Sequence, residues 1–189
     1  MKHLPRHIAL LLLILLSACT GTGTYDTANK CYLVIDNSVH LDPTLMSAMN
    51  SMSPGIFCRI SLGMKGGAET YFAQSNQNSS TSFALNGVDK ARTRILGIYD
   101  ECGLIVGFGN LDSPAVFYAY DAACPNCYST SSLVRILKMN SAGIAECSDC
   151  KRTYNLNTGG NLISGEDGRQ LYRYRASTTG PQGVLTVSN

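Results

Sequence analysis

The apolar positions of this chain fall mostly in short β-rich runs separated by breaks of glycine, asparagine and aspartate. Cys31 to Asp36 (Cys-Tyr-Leu-Val-Ile-Asp) is the first such run. Ile56 to Leu62 and Thr70 to Ala73 read as strands with a Gly66-Gly67 turn between them. Ile95 to Tyr99, Gly103 to Phe108 and Ala115 to Tyr120 follow as three successive strands, broken at Asp100-Glu101 and from Asn110 to Pro114. Leu133 to Met139 and Thr153 to Leu156 extend the series. Leu171 to Arg175 alternates tyrosine with arginine, as a half-buried strand does, and Val184 to Val187 closes it. One segment has the helical period instead: Asp42 as N-cap, Pro43 at the first position, then Leu45, Met46 and Met49, over Pro43 to about Ser51. Gln74 to Ser82 is Ser/Asn/Gln-rich and predicts an exposed loop, and Asn86-Gly87 predicts a turn. The pattern predicts an all-β domain of antiparallel strands with no repeat and no second core.

The first residues change the picture of where the chain resides. Lys2 and Arg6 precede an apolar run from Ile8 to Leu16, too short to span a bilayer and suited to a secretory signal. The run ends in Leu16-Ser17-Ala18-Cys19, which resembles the lipobox of bacterial lipoproteins and implies cleavage before Cys19 with acylation of that cysteine. Residues 1–18 are then the signal, 19–29 a lipidated cysteine with a Gly/Thr-rich tether, and 30–189 one β domain. The expected location is the bacterial cell envelope, lipid-anchored. The neutral residues after Cys19 carry no signal for the inner membrane, so the outer membrane is the expected site. Loss of Lys2 and Arg6 leaves 15 − 2 = 13 basic residues against 13 acidic ones. A nucleic-acid partner is excluded on charge. The expected partners are the membrane itself and an envelope protein or glycan.

Candidate chemistry is concentrated in two matched knuckles. Cys124-Pro-Asn-Cys127 is followed by nineteen residues and then Cys147-Ser-Asp-Cys150. Each knuckle brings two sulfurs together, and the intervening segment is long enough to fold one pair onto the other, within a metal subdomain of about 121–160. Four thiolates suit zinc, or iron as a mononuclear site or small cluster. Disulfides are the alternative in an exported protein, and the tight matched spacing favours metal. Cys31, Cys58 and Cys102 remain, enough for one bridge and one free thiol, with Cys58 in an apolar run as a buried inert thiol. His40 reads as a surface or satisfied histidine, and Asp121 as a turn cap. No Ser/His/Asp set, Cys/His pair or phosphate loop is present, so an enzyme is the less favoured class.

The residues around the knuckles resemble a Rieske-type domain. The run Gly103-Leu-Ile-Val-Gly followed by Phe117-Tyr-Ala-Tyr-Asp-Ala-Ala-Cys-Pro is similar to the strand pair leading into the first cluster loop. Cys147-x-x-Cys150 with Tyr154-Asn-Leu-Asn-Thr-Gly159 is similar to the second loop and its exit strand. Leu171-Tyr-Arg-Tyr and Gly183-Val-Leu-Thr-Val are similar to the closing strands. The likeness is to Rieske-like lipoproteins of Bacteroides-type bacteria, and it implies a Rieske-like β-sandwich or barrel with a zinc-ribbon-like two-knuckle subdomain. The ligands depart from that family, whose centre uses two cysteines and two histidines. Asn126 and Cys150 stand where the histidines would be, and Cys127 is additional. The expected site is therefore Cys124, Cys127, Cys147 and Cys150, holding a structural zinc in a non-catalytic module. A low-potential iron or 2Fe-2S electron carrier is the alternative, and a dithiol/disulfide protein the third.

Overall fold

The computed structural model describes residues 25–189. The expected signal, Cys19 and the start of the tether lie outside the described residues. The elements in order are β1 (Cys31–Asp36), α1 (Asn37–His40), α2 (Pro43–Ala48), β2 (Phe57–Lys65), β3 (Ala68–Ser75), β4 (Ser80–Ala84), α3 (Gly87–Ala91), β5 (Ile95–Leu96), β6 (Leu104–Phe108) and β7 (Phe117–Asp121). There follow α4 (Pro125–Ser131), β8 (Lys138–Met139), β9 (Ile144–Glu146), β10 (Thr153–Asn155), a 3-10 turn (Leu156–Thr158), β11 (Asn161–Ser164), β12 (Arg173–Thr178) and β13 (Val184–Ser188). The domain is all-β, as its patterning predicts. Among the described residues no helix is long and apolar enough to cross a membrane.

Nine strands form one antiparallel sheet in the order β4-β3-β2-β6-β7-β12-β13-β1-β5, and β11-β10-β9-β8 form a second. The large sheet rolls until its two edges approach. Arg94, just before β5, reaches Glu69 on β3 at 3.5 Å. The His40 ring, beyond β1, lies 4.6 Å from that of Phe83 on β4. Inside the roll lies a core of Leu33, Ile35, Ile60, Tyr71, Leu104, Val106, Tyr174 and Leu185, plugged by Leu45, Ala48 and Met49 of α2. The Asp42 carboxylate accepts from Leu45 N at 2.8 Å and Pro43 opens the helix, so both start signals act as the sequence suggests.

Period two on the central strands creates a second core on the outer face of the sheet. In the β6–β7 ladder Val106 sits opposite Ala119 and faces the interior. Ile105 sits opposite Tyr120 and faces outward. That outer face, Phe57, Ile105, Tyr118 and Tyr120, is covered by Leu137, Ala145, Tyr154, Leu156 and Leu171 of the small sheet and its loops. Strand β6 is therefore buried on both faces, which explains its unbroken apolar run. Since Arg173 pairs with Tyr120, β7 and β12 are neighbours, and the whole of 122–172 is an insertion between them. A single core was expected and two are present.

Several elements differ from their sequence patterns. The expected loop at 74–82 is the β3–β4 hairpin, where polar residues form an exposed edge strand. Asn86-Gly87 starts α3 rather than making a turn, because Asn86 and Asp89 cap each other's backbone. The expected strand at 133–139 reduces to the Ala123–Ile136 bridge and two-residue β8. Asp26 N donates to Arg173 O at 2.7 Å, so the chain is attached to the domain within the segment read as tether.

Gly103 has φ +78, and a Cβ there would lie 1.9 Å from Ile60 O. Gly103→Ala should therefore cost more than about 2 kcal/mol, well beyond the roughly 1 kcal/mol expected for Asp42→Ala; urea unfolding of both variants checks the order. Asp121 is fully buried and accepts from Ile98 N, Ala123 N and the Tyr174 hydroxyl. Burial pushes its carboxyl up to about 6 against the opposing pull of those donors. The folded value is raised, so the contribution is fully present below the ordinary 3.8 and is lost as pH rises through about 6. The penalty of Asp121→Asn should accordingly be smaller near pH 7 than near pH 4, by on the order of 3 kcal/mol at most. Equal penalties at both pH values in urea titrations would contradict this.

Candidate metal centre

Each knuckle is placed by ordinary backbone rules. Cys124 caps the N-terminus of α4 in an extended conformation, with Pro125 in the first turn. Its N–H donates to Arg135 O at 2.7 Å and Tyr128 N returns to its carbonyl at 3.1 Å. Cys127 lies three residues into the helix, so its sulfur comes round to the side of the cap. The second knuckle is the β9–β10 connection. Lys151 N donates to Cys147 O and Cys147 N to Arg152 O, each at 3.0 Å. Lys151 takes φ +59 to close the turn. The sulfurs thus come from one helix start and one hairpin, rather than from two like loops.

The four Sγ atoms all lie within 4.8 Å of one another. The closest pairs cross between knuckles, Cys124 to Cys150 at 3.6 Å and Cys127 to Cys147 at 3.7 Å. A zinc–sulfur bond of about 2.3 Å requires sulfurs about 3.8 Å apart on a regular tetrahedron. Both of these pairs match that edge. It is far from disulfide bonding, and all four are free thiols. Soft thiolates on a tetrahedron fit zinc or iron and not a hard oxygen-seeking ion. Cys124 and Cys147 are fully buried, while Cys127 and Cys150 keep one side towards solvent.

Burial and the neighbouring Cys147 thiol push Cys127 up, and burial pushes Cys147 up against the N–H groups of Cys150 and Asp149. At Cys150 burial also raises the thiol, but the Arg152 N–H and guanidinium with the Cys147 and Cys124 thiols outweigh it and bring it down to about 7. Of these three thiols Cys150 is the one most ready to ionise when a cation arrives.

A ring of polar groups fixes these sulfurs. The Tyr154 hydroxyl, fully buried, stands 3.5 Å from Cys124 Sγ. It accepts from Asn126 Nδ2 at 2.8 Å, which leaves its own hydrogen to donate to the sulfur. Asn126 also binds Arg169 in both directions, Nδ2 to its carbonyl at 2.9 Å and Oδ1 from its N–H at 2.8 Å. Arg152 donates to the carbonyls of Glu166 and Asp167, at 2.9 and 3.1 Å. Loop 165–169 is therefore clamped over the centre from both knuckles. Arg135 and Asp149 form an ion pair across the knuckles at the surface.

All four predicted ligands converge. His40, which reads as a satisfied histidine, binds Asp89 at 2.9 Å at a distance from the quartet's core. Asp121 caps Ala123 N as expected. Cys31, Cys58 and Cys102 are buried free thiols held protonated by burial, Cys31 up to about 12 and Cys102 to about 11. Tyr154 and Arg152 escaped notice as parts of the site. Their signal was position, four and two residues beyond Cys150 on the strand leaving the knuckle. Comparison with family models, with curated proteins and with solved structures finds no match for this chain.

Cys150→Ser and Cys127→Ser should each lower metal content and thermal midpoint together, read by elemental analysis and calorimetry. Tyr154→Phe leaves Asn126 Nδ2 one acceptor short and should cost about 1–3 kcal/mol while metal content stays whole.

Proposed function

We propose that the protein holds one metal ion on Cys124, Cys127, Cys147 and Cys150, with zinc the expected ion. Its role is to lock the inserted small sheet onto the outer face of the large one. The observation that carries this is the quartet's compactness, four sulfurs within 4.8 Å with edges near those of a single tetrahedron. A two-iron cluster divides four thiolates between two ions and would hold some of them further apart. Zinc on four cysteines has no open position, which agrees with a non-catalytic module.

The wider reading is an envelope lipoprotein of Rieske-like architecture. It is supported by the Lys2-to-Cys19 leader and by the insertion of both knuckles between antiparallel neighbours β7 and β12. His40 being committed to Asp89 accords with a centre that uses no histidine. A mononuclear iron carrier is the second reading. What favours it is the Tyr154 hydroxyl aimed at Cys124 Sγ, with two sulfurs reaching the surface. Donors to thiolate raise a potential, and exposed sulfur offers an electron an exit.

Elemental analysis with a visible spectrum tests both. One zinc per chain and no visible absorption is the expected outcome. One iron per chain with a red protein selects the second reading, and a chain that takes up no metal ends both.

A further inference from the structure

On the flank of the insertion two arginines of β12 stand against aromatic rings instead of acceptors, whereas Arg92, whose Nη1 is also buried without a partner, has no such ring contact among the described residues. Arg59, Arg94 and Arg152 each give their guanidinium to an acceptor, and Arg135 pairs with Asp149. Arg173 does not. Its Cζ lies 5.0 Å from the Tyr25 ring centroid on one side and 4.7 Å from that of Tyr118 on the other. Its buried Nε has no partner. Arg175 stands over the same Tyr25 ring, also at 5.0 Å. Two guanidinia thus contact one aromatic ring, and neither has an ion-pair partner among the described residues.

This arrangement opens on a cleft of about 290 Å³ lined by Tyr25, Asp26, Arg169, Leu171, Tyr172 and Arg173. Asp26 is the one carboxylate lining the cleft; its oxygens accept from the N–H groups of Ala28 and Asn29 and from Asn29 Nδ2, and it brings a single negative charge. Asp112 accepts from the Tyr118 hydroxyl at 2.5 Å. The rings hold the two guanidinia by cation–π contact, and neither guanidinium forms a hydrogen bond among the described residues, which leaves N–H groups able to receive a multiply charged oxyanion. Arg173, Arg175 and the exposed Arg169 set three positive charges against the one negative charge of Asp26, an excess that calls for a multiply charged anion.

We propose that Arg173, Arg175 and Arg169, held by Tyr25 and Tyr118, form a binding site for a phosphate group. The group is either free in solution or carried by an anionic lipid headgroup. The lipid source is within reach. Five residues lie between Cys19 and Tyr25, an extended span of roughly 20 Å, so an acylated Cys19 would hold this flank at the bilayer surface. The site stands on the arginines and tyrosines, and of these only Arg169 is positioned through the knuckles, by Asn126.

The test uses the metal-loaded protein in two arms. In the first, inorganic phosphate is titrated against chloride of equal ionic strength and the thermal midpoint is followed. In the second, amide hydrogen exchange at residues 169–172 is compared on phosphatidylglycerol and phosphatidylcholine vesicles. A rise with phosphate identifies a site open to the free anion, and slower exchange on phosphatidylglycerol alone identifies the headgroup. In either case Arg175→Gln, at an exposed position, should weaken the response about tenfold, as loss of one charge-assisted contact does. Arg173→Gln also removes packing between the two rings, so Arg175→Gln carries the decision. No response in either arm, or a response that Arg175→Gln leaves intact, overturns the proposal.

Discussion

The structure turns on a face that cannot be left bare. Strand β6 runs through the middle of the large sheet with Leu104 and Val106 inward and Ile105 outward, and β7 sets Tyr118 and Tyr120 beside Ile105. Each such side chain loses roughly 1.5–3 kcal/mol of burial if its cover is removed. The cover is the insertion 122–172, whose strands span only two to four residues. A sheet that short has too little apolar surface to stay ordered by itself. It must be fastened at the point where it meets the large sheet.

The sulfur quartet sits at that point. Cys124 and Cys147 belong to the same buried cluster as Ile105 and Tyr120, with Cys127 and Cys150 packed against it. A metal bound there ties the start of the insertion, at α4, to its middle, at the β9–β10 turn. Closing the segment between the knuckles removes disorder from the unfolded chain and joins metal affinity to folding. The ring of donors follows from charge. Four thiolates exceed the charge of a divalent ion, and the excess is met by backbone N–H groups of the second knuckle, the Arg152 guanidinium and the Tyr154 hydroxyl.

Much of this was legible in the residues. Strands β1, β6, β7 and β13 carry apolar runs because they are buried on the roll's interior or on both faces, and Asp42-Pro43 marks α2 by capping chemistry alone. The spacing of the two knuckles named all four cysteines. What escaped was decided by tertiary contact. Residues 80–84 form a strand because β3 offers a ladder to them, although their side chains are polar. Pro125 to Ser131 form a helix that the Cys-x-x-Cys spacing does not announce, since Cys124 provides the extended residue before a proline. The second core was invisible because Tyr118 and Tyr120 read equally well as rim residues until the register placed them opposite Gly107 and Ile105.

The same connectivity makes the four sulfurs and loop 165–169 a single unit. Asn126, inside the first knuckle, holds both hydrogen-bonding sides of Arg169, and a Cβ on Gly168 would come within 2.3 Å of Asn126 Oδ1. Arg152, leaving the second knuckle, holds Glu166 and Asp167. Loop 165–169 has few apolar side chains of its own to bury, so its position is set by these two residues, and they are set by the sulfurs next to them. Position is thus passed from a metal-sized gap between four cysteines, through an amide and a guanidinium, to the backbone that presents Arg169. The three parts need not be strong separately, because each removes the freedom the next would otherwise have to lose.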